Sequence, residues 1–290
     1  MLFHDSRNPN AHLTAIKRER VSYPTRTLFQ QGKIKGKVLD FGCGYGADVD
    51  FLRKQNIDIT GFDPFYVPNY PTEKFDTIIC HYVLNVLMPK EQAYVLMAIS
   101  ELLKPTGKAY FAVRRDLKRQ GFRNHYEHNV PTYQCNVQLN QPTFHKAEHC
   151  EIYEYQHYNQ REDVQNDCIF CVPDSERELI TESATMYAIL DKFPVSLGHV
   201  LIISKKHQAD YFALSEKEKI ALQLMIDRVK TILDKRYQPD GYNIGMNCGQ
   251  AAGQTVFHFH CHLIPRYNGD MENPRGGVRH CIEGKGYYKA

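Results

Sequence analysis

Residues 255–266 read TVFHFHCHLIPR, with His258, His260 and His262 at alternate positions. The apolar neighbours Val256, Phe257, Phe259, Cys261, Leu263 and Ile264 predict a buried β-strand. Residues two apart in a strand share a face, so all three imidazoles are expected on one surface. Burying three polar rings is costly unless each has a partner. At about 3.3 Å per residue, the outer two are roughly 13 Å apart at the backbone, too far for easy ligation of one metal by all three. The three side chains therefore need different jobs.

Outward from this strand, the segments RELITES, TMYAILD, HVLIISKK and YNIGM predict further strands. The run from Ser215 to Tyr237 predicts a long helix, with Ser215 and Glu218 as a capping box and Leu222, Ile226, Val229 and Leu233 as its apolar stripe. A small antiparallel sheet with one long helix is an α+β domain, expected over 167–290. Its first motif is Cys168-Ile-Phe-Cys171. Such a pair is a zinc half-site, a redox pair or a coincidence. The redox reading wants a βαβ unit next, and none follows. A structural zinc needs four ligands, for which His207 and His258 are candidates.

DCIFC, GHVLIISKKH and NCGQAAGQTVFHFHCHLIPR occur in that order. Together they resemble the zinc-carrying branch of the histidine-triad (HIT) hydrolases, over about 167–290. The resemblance implies zinc held by Cys168, Cys171, His207 and His258. It implies His260 as the nucleophile toward the α-phosphorus of a nucleotide, giving a nucleotidyl-imidazole that water hydrolyses. His262 would contact phosphate oxygens, Gln254 and Thr255 would meet the phosphate and leaving group, and Asn247 would line the same site. Asp191 would contact the ribose, and His199 would brace the triplet from behind. A homodimer through this domain is also implied.

The other half is organised differently. The stretch HLTAIKRERVSYPTRTLFQQG predicts helical turns closed by Gly32, with Pro24 breaking or re-aiming the chain. Strand and helix patterns then alternate through GKVLDF, ADVDFLRKQN, DITGFDP, KFDTIICHYV, KEQAYVLMAISELLKPTG and KAYFAVRR, with later strands at YQCNVQL and CEIYEYQHY. This alternation predicts an open, mostly parallel, Rossmann-like α/β sheet over 1–157. The polar stretch around 158–166 is the expected linker.

VLDFGCGYGADVDFL is a glycine-rich strand-to-helix turn that lets backbone approach a ligand. Gly42, Gly44 and Gly46 suit S-adenosylmethionine, but Gly42, Gly44 and Ala47 also satisfy a dinucleotide fingerprint. Asp63 would take ribose hydroxyls in either case. Asp40 beside the turn, then GFDP and FDTIICHYVLNVL, resemble class I methyltransferases. TAIKRERVSYPTRTLF and YFAVRRD are similar to a methyltransferase group associated with DNA modification. The resemblance implies a cofactor site built from Asp40, Gly42, Cys43, Gly44, Gly46 and Asp63, and a nucleotide or nucleic-acid-related methyl acceptor. One departure stands out: only 12 residues separate Asp63 from Asp76. The family fits a helix, a strand and an adenine-contacting acid there, so the adenine pocket must be improvised, with Cys80 or His81 as candidates. A degenerate, binding-only domain is the competing reading.

Composition narrows the class. The net charge of +3 is too small to argue for nucleic acid by itself. The basic excess sits in residues 104–123, where seven Lys and Arg meet only Asp116. That run is either a solvated face or a phosphate-facing surface. No run of 18 apolar residues occurs and no signal-peptide pattern is visible, so no membrane partner is expected. Nine scattered cysteines argue against disulfide pairing and for a reducing cytoplasm. The expected protein is a methyltransferase half joined to a HIT half acting on small-molecule nucleotides. The alternatives are a nucleic-acid end-processing (deadenylylating) factor and a nucleotide sensor without turnover.

Overall fold

The computed structural model describes residues 7–155, 157–160, 167–172 and 177–287. The chain divides into two compact units between Arg161 and Glu162. That division falls inside the expected linker, whose residues 161–166 lie outside the described ones.

In the first unit, helix α1 (Tyr23–Gln30) precedes strand β1 (Val38–Phe41), helix α2 (Ala47–Lys54), strand β2 (Ile59–Phe62) and strand β3 (Phe75–His81). Helix α3 (Pro89–Leu102) runs directly into strand β4 (Leu103–Arg114). Four shorter strands close the unit: β5 (Gly121–Asn124), β6 (Pro131–Gln134), β7 (Thr143–Lys146) and β8 (Cys150–Tyr155). The main sheet has the order β2-β1-β3-β4-β8-β7. Its first four strands are parallel, and β8 and β7 are antiparallel to their neighbours. Every residue of β1 is buried, as expected for a strand in a parallel sheet covered on both faces. The core packs Val38, Ile79, Tyr110 and Ile152 of the sheet against Leu28, Val49 and Leu52 of the helices.

Several expectations change here. Pro24 does not break a helix; it sits in the first turn of α1, where its missing N–H costs nothing, and Ser22 caps that helix. Upstream, only Ala11–Thr14 forms a 3₁₀ turn. The expected strand at 133–139 ends at Gln134, because Cys135 donates its N–H to Asn85 instead of to a neighbouring strand. β5, with which that strand (β6) forms a hairpin, and β7 carry no sequence signal strong enough to have been anticipated. Between β2 and β3 there is neither helix nor strand, only a bridge between Asp63 and Val67.

The basic run 104–123 is largely neutralised within its own unit. Lys104 pairs with Asp76, Lys108 with Glu154, Arg114 with Asp116 and Arg115 with Glu151. Four of its seven cations thus face carboxylates, which favours the solvated-face reading.

The second unit is one antiparallel sheet in the order β12-β13-β11-β10-β9. Its strands are β9 (Leu179–Glu182), β10 (Met186–Leu190), β11 (Val200–Ser204), β12 (Gly241–Gly245) and β13 (His260–Arg266), with helix α4 (Glu216–Tyr237) between β11 and β12. The capping box is present: Glu218 N–H reaches Ser215 Oγ at 3.3 Å, and Ser215 N–H reaches Glu218 Oε2 at 2.9 Å. Leu222, Met225, Val229 and Leu233 of α4 pack on Ala188, Ile202, Cys261 and Leu263. The expected Ile226 packs against the same cluster partly buried, and Met225 joins the stripe fully buried. With Cys261 and Leu263 on the helix side, strand alternation directs His260 and His262 to the opposite face. No helix among the described residues is long and apolar enough to cross a membrane.

Candidate functional site

The predicted strand through all three histidines is shorter than expected. β13 starts at His260, so His258 stands outside it. The cause is a long-range bond: Phe259 N–H donates to Gln208 O at 2.6 Å, tying this backbone to the loop after β11.

His258 is fully buried and turns toward the cysteines. Its Nδ1 lies 3.3 Å from Cys168 Sγ and 3.4 Å from Cys171 Sγ, and Cys171 Sγ lies 3.3 Å from His207 Nδ1. The four donor atoms all fall within 4.8 Å of one another. His258 Nε2–H donates to Ser204 O at 2.7 Å, which fixes the tautomer and leaves Nδ1 as a lone pair facing two sulfurs.

His260 has a different partner. Its Nδ1–H donates to the carbonyl of His258 at 2.8 Å, so Nε2 carries the lone pair. His262 Nδ1 meets His199 Nε2 at 3.0 Å, and His199 Nδ1 lies 3.4 Å from Asp191 Oδ2. Asp191, His199 and His262 thus form a chain of their own beside His260, whose ring centroid is 5.2 Å from that of His262. Burial, then the nearby His260 and His199, push the His262 imidazole down to about 4, with Asp191 opposing. The His199 imidazole is lowered too, by burial against the pull of Asp191.

His262 is therefore neutral at pH 7. Its folded value lies below the ordinary histidine value near 6.5, so the stability of the neutral form is present above that value. It is lost as pH falls from about 6.5 through about 4. A carbon-13 or nitrogen-15 titration of the histidines by NMR should find His262 uncharged down to about pH 5. A midpoint at 6 or above would contradict this environment.

The other predicted residues of this unit lie on or near the loop 246–259. Asn247 is half-buried and Thr255 exposed. Gln254 is buried on the same loop. Its amide donates to Ala209 O and Val256 O and accepts from Gly249 N–H, so it holds the loop in shape.

In the first unit, Gly42, Gly44 and Gly46 all have positive φ, between 52° and 84°. A Cβ on Gly42 would stand 2.2 Å from Val83 Cγ2, so only glycine fits there. Asp63 receives the N–H groups of Gly44, Phe65 and Tyr66 at 2.9–3.1 Å. Asp40 is buried beneath the turn, where burial and then Asp48 drive its carboxyl well above the usual range. Cys43 is an inert thiol, pushed up to about 12 chiefly by burial.

A cavity of about 540 Å³ opens over this turn, bordered by Gly42, Cys43, Gly44 and Asp63. Of the two improvised candidates, His81 borders the cavity, while Cys80 is buried in β3 and is not among the lining residues. Aromatic walls that the motif did not reveal are supplied by Tyr45, Phe65 and Tyr66. His12, from the 3₁₀ turn, stacks on Phe65 with centroids 3.8 Å apart and planes at 17°. The adjacency Asp63-Pro64-Phe65-Tyr66 was the available signal for that wall.

A model described as a HIT domain matches residues 172–269, and one described as a methyltransferase domain matches residues 14–161. A 16.1 kDa HIT-like protein of Mycoplasma pneumoniae is 39% identical over 105 residues, covering 35% of this chain and 73% of the relative. A HIT-like protein of Saccharolobus solfataricus is 30% identical over 125 residues, covering 42% of this chain and 90% of the relative. An adenylylsulfatase of Arabidopsis thaliana is 38% identical over 113 residues, covering 37% of this chain and 56% of the relative. The chain belongs to the HIT family through its second unit and to the methyltransferase-domain family through its first.

Proposed function

We propose that the second unit hydrolyses or transfers a nucleoside monophosphate group through His260, and that the first binds S-adenosylmethionine. The observation that carries the first part is the pair of bonds that sort the imidazoles. His260 Nδ1–H is held by the His258 carbonyl, which leaves the Nε2 lone pair as the nucleophile. Nε2 attacks the α-phosphorus, forming an N–P bond as the bond to the leaving oxygen breaks and its electron pair departs. Water then attacks the same phosphorus and releases His260. His262 donates from Nε2–H to a phosphate oxygen when His199 Nε2–H donates to its Nδ1, a tautomer in which Val195 N–H bonds His199 Nδ1 at 3.4 Å. Thr255 and Asn247 stand on the loop that would flank the leaving group and sugar, and Asp191 would contact ribose hydroxyls. The Arabidopsis relative's name makes adenylylsulfate the first substrate to try.

Cys168, Cys171, His207 and His258 would hold zinc. Ligands on a tetrahedral zinc stand about 3.6 Å apart, from Zn–S of about 2.3 Å and Zn–N of about 2.0 Å. The donor contacts of 3.3–3.4 Å are close to that, and the Ser204 carbonyl orients His258 as an outer partner should. The metal would supply fold stability, not chemistry on the nucleotide.

For the first unit, the glycine turn favours S-adenosylmethionine over a dinucleotide. A pyrophosphate needs free amides at a helix N-terminus. Here Gly42 and Cys43 N–H donate to Phe62 O, Gly44 N–H to Asp63, and Gly46 N–H to Cys43 O. Asp48 and Asp50 add negative charge to the first turn of α2, which repels a phosphate. Calorimetry of the full chain with S-adenosylhomocysteine and with NAD decides between them. Binding of NAD with no heat from S-adenosylhomocysteine would reverse the assignment.

A further inference from the structure

One buried polar network in the first unit has no role in holding the glycine turn. Asp48, from the first turn of α2, is 3% exposed. It accepts the N–H of Ser22 at 2.7 Å, and lies 3.5 Å from the Arg18 guanidinium and 3.7 Å from His81 Nδ1. Thr25 Oγ1 sits 3.1 Å from the same Nδ1. Burial alone would raise the Asp48 carboxyl, but His81 and Ser22 hold it well below the usual carboxylate range. Thr25 and Asp48 thus converge on one edge of one imidazole, with Arg18 and Ser22 holding Asp48 from behind.

The other edge is different. His81 Nε2 is buried and has no hydrogen-bond partner among the described residues. His81 also borders the cavity that the glycine turn and Asp63 line. A buried polar atom left open within an otherwise satisfied network calls for a ligand. The protein fixes the proton on Nδ1, between Thr25 Oγ1 and the Asp48 carboxylate, and so leaves a lone pair on Nε2. The backbone after it is held unusually: Tyr82, a non-glycine residue lining the same cavity, has φ of 63°, with its N–H bonded to Ala112 O at 2.7 Å.

We propose that His81 is the general base of a methyl transfer in this cavity, taking the proton of a neutral hydroxyl or amine acceptor. This rests on the assignment of the cavity to S-adenosylmethionine. His81 Nε2 accepts the acceptor's proton as the acceptor's oxygen or nitrogen bonds to the methyl carbon. The carbon–sulfur bond breaks at the same time, and its electron pair stays on sulfur, which leaves as the neutral thioether. The imidazolium that results is balanced by Asp48 across the ring, and its proton then passes to solvent. Acceptors that are already anionic, such as thiolates and carboxylates, have no need of this device. Asp48 acts through His81 and is a positioning residue.

A probe that needs no acceptor tests this. In 5′-aziridinyl adenosine, a strained ring nitrogen stands where the cofactor carries sulfur, so a nucleophile facing that position opens the ring and becomes adenosylated. Incubated with the full chain and mapped by mass spectrometry, the label should fall on His81. An excess of S-adenosylhomocysteine should block it, and His81→Gln should abolish it with the circular dichroism spectrum unchanged. Asp48→Asn should slow it by more than about tenfold, because the imidazole loses its fixed tautomer. If S-adenosylhomocysteine binds by calorimetry but the label appears elsewhere, or not at all, the base assignment is wrong. If S-adenosylhomocysteine does not bind, the cofactor assignment itself fails, and the base assignment falls with it.

Discussion

If adenylylsulfate is a substrate, as proposed, replacing His260 with alanine should lower its hydrolysis by about 10⁴-fold or more, as loss of a nucleophile does elsewhere. The proposed zinc content of about one per chain should be unchanged, because His260 is not among the four clustered donors. The effect is expected in turnover, since no other ring can replace it. His258 Nδ1 faces two sulfurs and its Nε2 bonds Ser204 O. His262 Nδ1 is engaged by His199. Rates from coupled sulfate release, with metal analysis on the same preparations, check both halves of the expectation. Substantial activity in His260→Ala would mean that the histidines have been assigned wrongly.

His258→Ala is expected to fail in the opposite order. Removing the fully buried imidazole leaves Cys168, Cys171 and His207 with three donors for a site that needs four. Metal binding in such sites is folding free energy, so the loss should cost about 3 kcal/mol or more. For a unit of this size that is a fall of roughly 10 °C in melting temperature. A chelator should reproduce the shift in the parent chain and have little further effect on the variant. Activity falls too, since the His258 carbonyl that orients His260 is displaced, but it falls as a consequence of lost order. Unchanged melting with metal absent would remove the structural role assigned to this cluster.

What the sequence made legible follows the range of each interaction. The apolar alternation from Phe259 to Leu263 and the Ser215–Glu218 capping box act within a few residues, and both were readable. The start of β13 was not, because what pulls His258 out of the ladder is a bond from Phe259 to Gln208, about 50 residues earlier. The count between Asp63 and Asp76 correctly anticipated a missing helix and strand. It could not anticipate that His12 and Phe65 would stack nearby, since that needs the 3₁₀ turn to fold back over the sheet. The bonds of the Gln254 side chain to three backbone groups were not readable either, because one of them reaches Ala209, 45 residues earlier. The Asp48–His81 network had no sequence signature at all, because its members lie on three separated segments.

The central claim is that one of the three histidines holds metal, one reacts and one supports the phosphate. The most direct measurement is to mix the full chain with adenylylsulfate, quench within the first turnover under alkaline denaturing conditions that preserve phosphoramidates, and map the modified peptide by mass spectrometry. The account predicts a single adenylyl group on His260, acid-labile and absent from His260→Ala, with longer-lived labelling in His262→Ala. An adenylyl group on His258 or His262, or turnover with no covalent intermediate detectable in any variant, would contradict it.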